Sequence, residues 1–435
     1  MSLELGRNHG RRELLKAVGG AAASAALAPL LRAANDRLSV AFIGTGVMGS
    51  ENLKAAMAQG AQASYVCDVF QPNLERAAAL ARKAGQAPKT VRDFREILAD
   101  RSVDAVCIST PDHWHTYMAV EACKAGKDVY VEKPVCLAVN EGSILIEAAR
   151  KYRRVVQAGT WQRSGAHFQR ACEIVRSGGI GKVTFCRSWI YANMPQAGIG
   201  NPPDAAPPPG LDWDLWLGPA PSRQFNPNRF GVYPDAYSYF RFFWDYAGGY
   251  LTDSGVHMVD ILQMALGDPM PRAVTAIGGK FWFKDDTEVP DTLQVSLEYE
   301  GCLGSWEHRC NNTEANKPRL MGLTFHGTLG TLYVDRALFR VTPEEHSGIQ
   351  PLEMKRERDP HPLHWANFLD CVRSRRRPNS DIETCVRSST ACLLGNAAYR
   401  SKLRLDWDNA RWNVAQESAR PYLHREYRTP WKLEI

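Results

Sequence analysis

The strongest constraint on this 435-residue chain is a short apolar run, LSVAFI at residues 38–43, that leads without a break into Gly44-Thr45-Gly46-Val47-Met48-Gly49. A run of that length suits a strand covered on both faces of a parallel sheet. The glycines allow a tight turn, let backbone approach a pyrophosphate and let the next helix pack closely, while that helix's N-terminus adds N–H groups and a positive dipole end. Alone, G-x-G-x-x-G is a weak signal. Its weight comes from its setting, a helix-compatible stretch at 50–58 and then a second apolar run at 63–67 ending in Asp68, nineteen residues after Gly49. An acid at that distance accepts both ribose hydroxyls and repels a 2′-phosphate, which points to NAD, with NADP the lesser alternative. The plainer reading of Asp68 is a turn residue at a strand end.

The alternation continues. Helices are expected over 74–83, 94–98 and 118–125, and strands over 103–108 and 128–131, which predicts a doubly wound parallel sheet. Thr110, Pro111 and His115 come after the strand at 103–108, on the side of an open α/β sheet where ligands bind. Glu132-Lys133-Pro134 ends the next strand. There a lysine can point its ammonium at a substrate hydroxyl oxygen; elsewhere it reads as a surface charge. The expected cofactor contacts are therefore Gly44, Gly46, Val47, Met48, Gly49, Asp68, Thr110, Pro111, His115, Glu132 and Lys133, within an NAD-binding Rossmann domain at 35–158.

The chain is too long for one core, and 44% hydrophobic with 23% charged residues marks it as folded. The net charge of +6 comes without any helix-turn-helix, zinc or RNA-binding signature, and its densest cluster, Arg373 with Arg375, Arg376 and Arg377, reads as a solvated turn, so no nucleic acid is expected as a partner. The eleven cysteines contain no Cys-x-x-Cys pair. Cys302 and Cys310 in one strand lie about 26 Å apart, too far for a disulfide. Most of the cysteines read as buried thiols formed in a reducing compartment.

Residues 1–34 read as an export segment. Arg11-Arg12-Glu13-Leu14-Leu15-Lys16 before an alanine- and glycine-rich apolar stretch resembles the twin-arginine signal, with an amphipathic N-terminal helix as the alternative. The apolar run at 17–31 is shorter than the roughly 20 residues that span a bilayer. A soluble protein is expected, periplasmic or otherwise exported. Ala26-Leu27-Ala28 fits a cleavage site, but Pro29 comes directly after it, and an uncleaved anchor stays open.

GTGVMG, STPDHWH, YVEKP and GGYLTDSGVHMVD, in that order, resemble the glucose-fructose oxidoreductase and inositol dehydrogenase family over about residues 38–405. The resemblance implies the Rossmann domain followed by a C-terminal α/β domain with a large, mostly antiparallel open sheet, here at 159–405 before an extension at 406–435. It implies association through that sheet into a homodimer or homotetramer, and no catalytic metal. It further implies that Lys133, Asp253 and His257 handle a sugar or polyol hydroxyl while hydride passes to the nicotinamide. Some family members are exported with a non-dissociating cofactor, which fits the N-terminus here.

In the second half, strands are expected at 182–191, 273–283, 292–298, 303–308, 321–325 and 330–334. Helices are expected at 361–373, returning to the Rossmann side, and at 385–401. An insert at 195–245 is first proline-rich and then aromatic, with thirteen Phe, Tyr and Trp residues from 213 to 250. It is either a loop packed on its own domain or a pocket wall whose rings stack on sugar faces, with Trp216, Trp244 and Tyr250 as candidate substrate contacts. On a helix, Asp253 and His257 share a face, so the carboxylate can orient the imidazole that takes the proton or sense the same substrate hydroxyl; a capping Asp and a core His are the plainer reading. Arg163 is a substrate or cofactor contact, or a structural ion pair. His113 and His115 have metal-ligand spacing without a third ligand, so they are assigned to packing or the cofactor edge.

Three functions are compatible with these residues. The first is an NAD-dependent oxidoreductase acting on a sugar, polyol or glycoside hydroxyl, with the cofactor tightly held. The second is a redox glycosidase that oxidises, eliminates, adds water and re-reduces, which needs a further base, with Tyr250 and His113 as candidates. The third is a non-catalytic sugar or cofactor sensor.

Overall fold

The structure, a computed structural model, describes residues 37–231, 237–313 and 320–435. The export reading of residues 1–34 lies outside them. The first sheet is parallel, in the order β3-β2-β1-β4-β5-β6, from β1 (Ser39–Ile43), β2 (Gln62–Cys67), β3 (Lys89–Val91), β4 (Ala105–Ile108), β5 (Asp128–Val131) and β6 (Val156–Ala158). β4 and β5 are buried at every residue, as expected for strands covered on both faces. The order reverses between β1 and β4, which opens a crevice at the carboxyl ends of the strands.

The second sheet has ten strands in the order β14-β13-β12-β11-β7-β10-β9-β8-β15-β16. They are β7 (Val183–Tyr191), β8 (Ala273–Gly279), β9 (Thr292–Tyr299), β10 (Cys302–Arg309), β11 (Met321–Gly327), β12 (Gly330–Val334), β13 (Leu338–Pro343), β14 (Leu352–Lys355), β15 (Leu405–Asp408) and β16 (Asn413–Val414). Among the described residues, β7 with β10 is the one parallel pairing in this sheet. β9 alternates cleanly, burying Leu293, Val295, Leu297 and Tyr299 against helices Val256–Leu266 and Ile382–Ser401. The opposite face leaves Ile277 and Phe281 about three-quarters exposed.

Some boundaries differ from the sequence reading. β8 stops at Gly279 rather than 283, because the N–H groups of Trp282 and Phe283 donate to the Asp291 carboxylate at 2.7 and 2.9 Å instead of to a neighbouring strand. Sequence patterning does not reveal β3, β13, β14, β15 and β16; they are short, and most lie near a sheet edge, where period-two apolar patterning is weakest.

The two halves interlock. Helix Pro360–Ser374 returns to the parallel sheet, where Trp365 stacks on Tyr130 with centroids 4.4 Å apart. The last residues cross back as well: Trp431 packs edge-on against Trp114 at 4.8 Å. All eleven cysteines are buried and unbridged. Among the described residues no helix is long and apolar enough to cross a membrane.

Candidate active site

A cavity of about 600 Å³ opens at the reversal of strand order and runs from the glycine turn to the second domain. At its first end, Gly44 takes φ of +78°, and a Cβ on Gly49 would lie 1.9 Å from the Gly44 carbonyl oxygen. Only glycine permits this turn. Gly46 caps helix Val47–Ala58 with no side chain over its free N–H groups, leaving them for an anion. Gly44, Gly46, Val47 and Met48 line the cavity, while Gly49 packs behind them.

Asp68 closes this end. Its Oδ2 accepts from Thr45 N and Oγ1 at 2.7 and 3.2 Å and its Oδ1 from Phe70 N at 2.9 Å, yet burial outweighs these bonds and raises its pKa. Arg92 lines the same end, and Arg76 reaches the Thr45 carbonyl at 3.1 Å. Further along, Thr110, Pro111, His115 and Glu132 line the wall. The Thr110 hydroxyl is buried without a partner, a vacant donor and acceptor suited to a bound polar group. The His115 ring lies between the Pro134 and Thr110 carbonyls, at 2.7 and 2.8 Å, joining the loops after β5 and β4. Glu132 accepts from Asn52 Nδ2 at 3.0 Å, and a Cβ on Gly159 would come within 2.6 Å of the carboxylate and displace it.

At the far end, Lys133 donates to Asp253 Oδ1 at 2.7 Å and to the Asp253 carbonyl at 2.9 Å. The carboxylate also accepts from Arg241 Nε at 2.9 Å and Tyr237 Oη at 2.7 Å. Burial pushes the Asp253 carboxyl up, but Lys133, Arg241 and Tyr237 outweigh it and hold it well below the carboxylate range. Asp253 therefore sits behind the wall that Lys133, Tyr237 and Arg241 form.

The expected Asp253–His257 pairing is thereby corrected. Residues Leu251–Gly255 form a π turn leading into the helix, and the carboxylate turns to Lys133, Arg241 and Tyr237. His257 lines the cavity with its Nδ1 unpartnered and its ring centroid 5.8 Å from that of Trp161. Burial, with help from Lys133 and Arg336, lowers its pKa well below the usual value and keeps it neutral.

The candidate substrate contacts separate. Trp216 lines the cavity and stacks on Trp213 at 4.7 Å. Trp244 does not reach it: its indole donates to the Glu288 carbonyl at 3.0 Å, and Arg400 covers its ring. Tyr250 backs Tyr237, ring parallel at 6.4 Å, with its hydroxyl on Met194 Sδ. Arg163 turns away into a buried ion pair with Asp260 at 2.8 Å and Asp268 at 2.6 Å, because the 3₁₀ turn Trp161–Ser164 points Trp161 inward instead. His113 lies under the wall, donating to the Trp216 carbonyl at 3.0 Å. Neither it nor Tyr250 is a cavity base.

Sequence reasoning missed Asp112, Trp161, Tyr237, Arg241 and Arg336. Asp112 is buried in the cavity wall, and burial, opposed by Arg241 and Lys133, pushes its carboxyl up to about 7. Tyr237 and Arg241 lie in the aromatic insert, whose composition was the available signal; Arg336, in a turn between β12 and β13, had none. Among the described residues no cluster of His, Cys, Asp or Glu is arranged to hold a metal.

Two family descriptions match this chain: an oxidoreductase family's NAD-binding Rossmann fold over residues 38–160, and the same family's C-terminal alpha/beta domain over 180–433. The scyllo-inositol 2-dehydrogenase (NAD(+)) of Bacillus subtilis strain 168 is 31% identical over 83% of this chain and 93% of its own length. Other curated relatives match over only 27 to 54% of their length, among them a glycosyl hydrolase family 109 protein of Shewanella sp. strain W3-18-1, 31% identical over 27% of each chain. A levoglucosan dehydrogenase solved with NADH and levoglucosan shares the fold, with a TM-score of 0.65 at 17% identity over 85% of this chain and 99% of its own.

Proposed function

Because this chain belongs to the NAD-binding glucose-fructose oxidoreductase and inositol dehydrogenase family, we propose that it oxidises a hydroxyl of a sugar, polyol or glycoside at the Lys133 end of its cavity. One observation carries the reading: the Lys133 ammonium, fixed by Asp253, shares a single cavity with the glycine turn and with the neutral imidazole of His257. The bare N–H groups behind Gly46, the vacant Thr110 hydroxyl and Asp68 fit NAD, with Gly44, Val47, Met48, Pro111, His115 and Glu132 completing its walls. When bound, NAD supplies a hydride acceptor.

The chain's own groups do the rest. Lys133 donates to the substrate hydroxyl oxygen and steadies the charge that develops there. His257, held neutral, takes the hydroxyl proton. Asp253 positions the ammonium and keeps it from drifting into the cavity, while Trp161 and Trp216 offer flat apolar faces to the sugar ring. The test is mass spectrometry of products after incubation with a panel of sugars and glycosides, with and without added NAD. Oxidised sugar dependent on NAD supports the reading, and no oxidised product under any condition defeats it.

A second reading, the redox glycosidase, is favoured by Asp112. Its cavity carboxyl, at about 7, can exchange a proton at neutral pH, which the elimination step requires. Cleaved glycoside appearing over many turnovers without added NAD distinguishes it, and also tests tight cofactor retention. The presence of both Lys133 and His257 weighs against a non-catalytic sensor. Export through Arg11-Arg12 is part of the proposal, tested by cell fractionation of the R11K/R12K variant. So is self-association through the sheet face bearing Ile277 and Phe281, tested by light scattering.

A further inference from the structure

We infer that the sugar handled in this cavity carries an anionic substituent, a carboxylate or a phosphoester, and that Arg336 binds it. The inference rests on the cavity being a sugar-oxidising site and names the class of substrate.

Arg336 sits in the turn between β12 and β13, which Asp335 stiffens by accepting from Ala337 N and Leu338 N at 2.6 and 2.9 Å. That turn delivers the guanidinium to the same cavity as Lys133 and His257, with its carbon 4.7 Å from the centroid of the Trp161 ring. Among the described residues its one side-chain hydrogen bond is long, from Nε to Gln162 Oε1 at 3.5 Å, and it has no carboxylate within ion-pair distance. Asp253 contributes most to its field of any acid, but that carboxylate is occupied by Lys133 and Arg241.

Arg92, also in the cavity wall, likewise has no acid at ion-pair distance among the described residues but gives its guanidinium to the Val69 and Gly210 carbonyls at 2.9 and 3.0 Å, whereas Arg336 has neither an acid nor a short bond. Lys133 and Arg241 each have Asp253, and Arg163 has Asp260 and Asp268. Burial also lowers the pKa of Arg336, so its charge stands partly desolvated with no counter-ion. A cavity holding such an arginine favours a ligand that brings its own negative charge. The guanidinium is a rigid planar fork, stacked here on an indole, and the group that matches it with two parallel hydrogen bonds is an oxyanion rather than a neutral hydroxyl. Its place over Trp161, close enough to His257 to act on its charge, assigns it to the substrate and not to the cofactor pyrophosphate.

The test uses the full chain saturated with NAD and two matched pairs: methyl glucoside with methyl glucuronide, and glucose with glucose 6-phosphate. Ratios of kcat/KM within each pair are measured for the wild type, R336Q and R336K, and binding of each compound is followed by calorimetry. We expect the anionic member of one pair to be preferred, that preference to fall about 10- to 100-fold in R336Q, and R336K to retain part of it. The pair that responds identifies the substituent. An unchanged ratio in R336Q, or a wild-type preference for the neutral members of both pairs, overturns the inference while leaving the oxidoreductase reading intact. If no compound is oxidised, anion binding that R336Q loses upholds the site and defeats the oxidoreductase reading. Equal binding to R336Q, or none by the wild type, overturns the site.

Discussion

Lys133 and Asp253 stand 120 residues apart in sequence, and their side chains meet at 2.7 Å, joining the end of β5 in one sheet to the π turn that starts a helix over the other. That contact ties the NAD-binding half to the substrate half at the cavity wall. The buried Asp253 carboxylate has Lys133 as one of two counter-charges, Arg241 being the other.

Replacing either partner should uncouple chemistry from cofactor binding. K133M is expected to lose at least about 10³-fold in kcat while keeping its NAD affinity, because the ammonium lies beyond the glycine turn. D253N should lose about 10²-fold, since the lysine remains but is no longer held. Steady-state kinetics alongside fluorescence titration of NAD separates the two effects; a K133M variant with normal turnover removes Lys133 from the mechanism.

The acid limb of activity should lie well below pH 6.5. His257 must be neutral to take a proton, and burial with Lys133 and Arg336 nearby depresses its pKa, so protonation that stops the reaction comes only in more acid solution. A profile of kcat/KM against pH at saturating NAD checks this. A limb at or above 6.5 assigns the proton to another group.

The raised carboxyl of Asp112 gives a stability effect whose expected sign can be worked out. Its folded pKa, about 7, lies above the ordinary carboxylate value, so the unfolded chain releases this proton first and ionisation penalises the fold as pH rises from about 4 to 7. D112N escapes that penalty. In the absence of NAD it should gain stability relative to wild type across this window, levelling off above pH 7 at a difference on the order of 4 kcal/mol. Urea midpoints for the two proteins at pH 4, 5.5, 7 and 8 measure it, and a constant difference over that range is the contrary result.

Asp68 should govern the choice of nicotinamide. Its buried carboxylate closes the ribose end of the cavity with Arg92 in the same wall and Arg76 close by. D68S removes the repelling charge and leaves two cations for a 2′-phosphate, so the ratio of NADP to NAD affinity should rise about 10-fold or more. Binding titrations with both dinucleotides read this directly.

Arg163 should prove structural. With its side chain 4% exposed and paired to Asp260 and Asp268, R163M strands buried charge and is expected to cost about 3 to 5 kcal/mol of stability. The fraction that folds should turn over normally, which active-site titration can establish.

Features that depend on neighbours in the chain could be read from residues alone. The glycine turn, Asp68 and the alternation of 38–131 depend on local periodicity and backbone conformation, and the structure keeps them. Lys133 could be placed at the cavity from its position at a strand end, and His257 through the family resemblance. Tyr237 and Arg241 were visible only as part of an aromatic-rich insert, and Trp161 lies two residues from Arg163, which residues alone leave between a ligand contact and a structural ion pair. Arg163 and Trp161 illustrate why: in the 3₁₀ turn Trp161–Ser164 a single residue's rotation decides which side chain faces the cavity and which faces Asp260.

The parallel sheet, the phosphate-binding turn and the expectation of NAD follow from local sequence, because they derive from hydrophobic period and from which residues tolerate a positive φ. The partners of charge come from the packed fold: Asp253 with Lys133 rather than His257, Arg163 with Asp260, and Arg336 with no acid at ion-pair distance among the described residues. Ion pairs depend on distances between segments far apart in the chain and on how far each is removed from water, and neither quantity is written in local sequence.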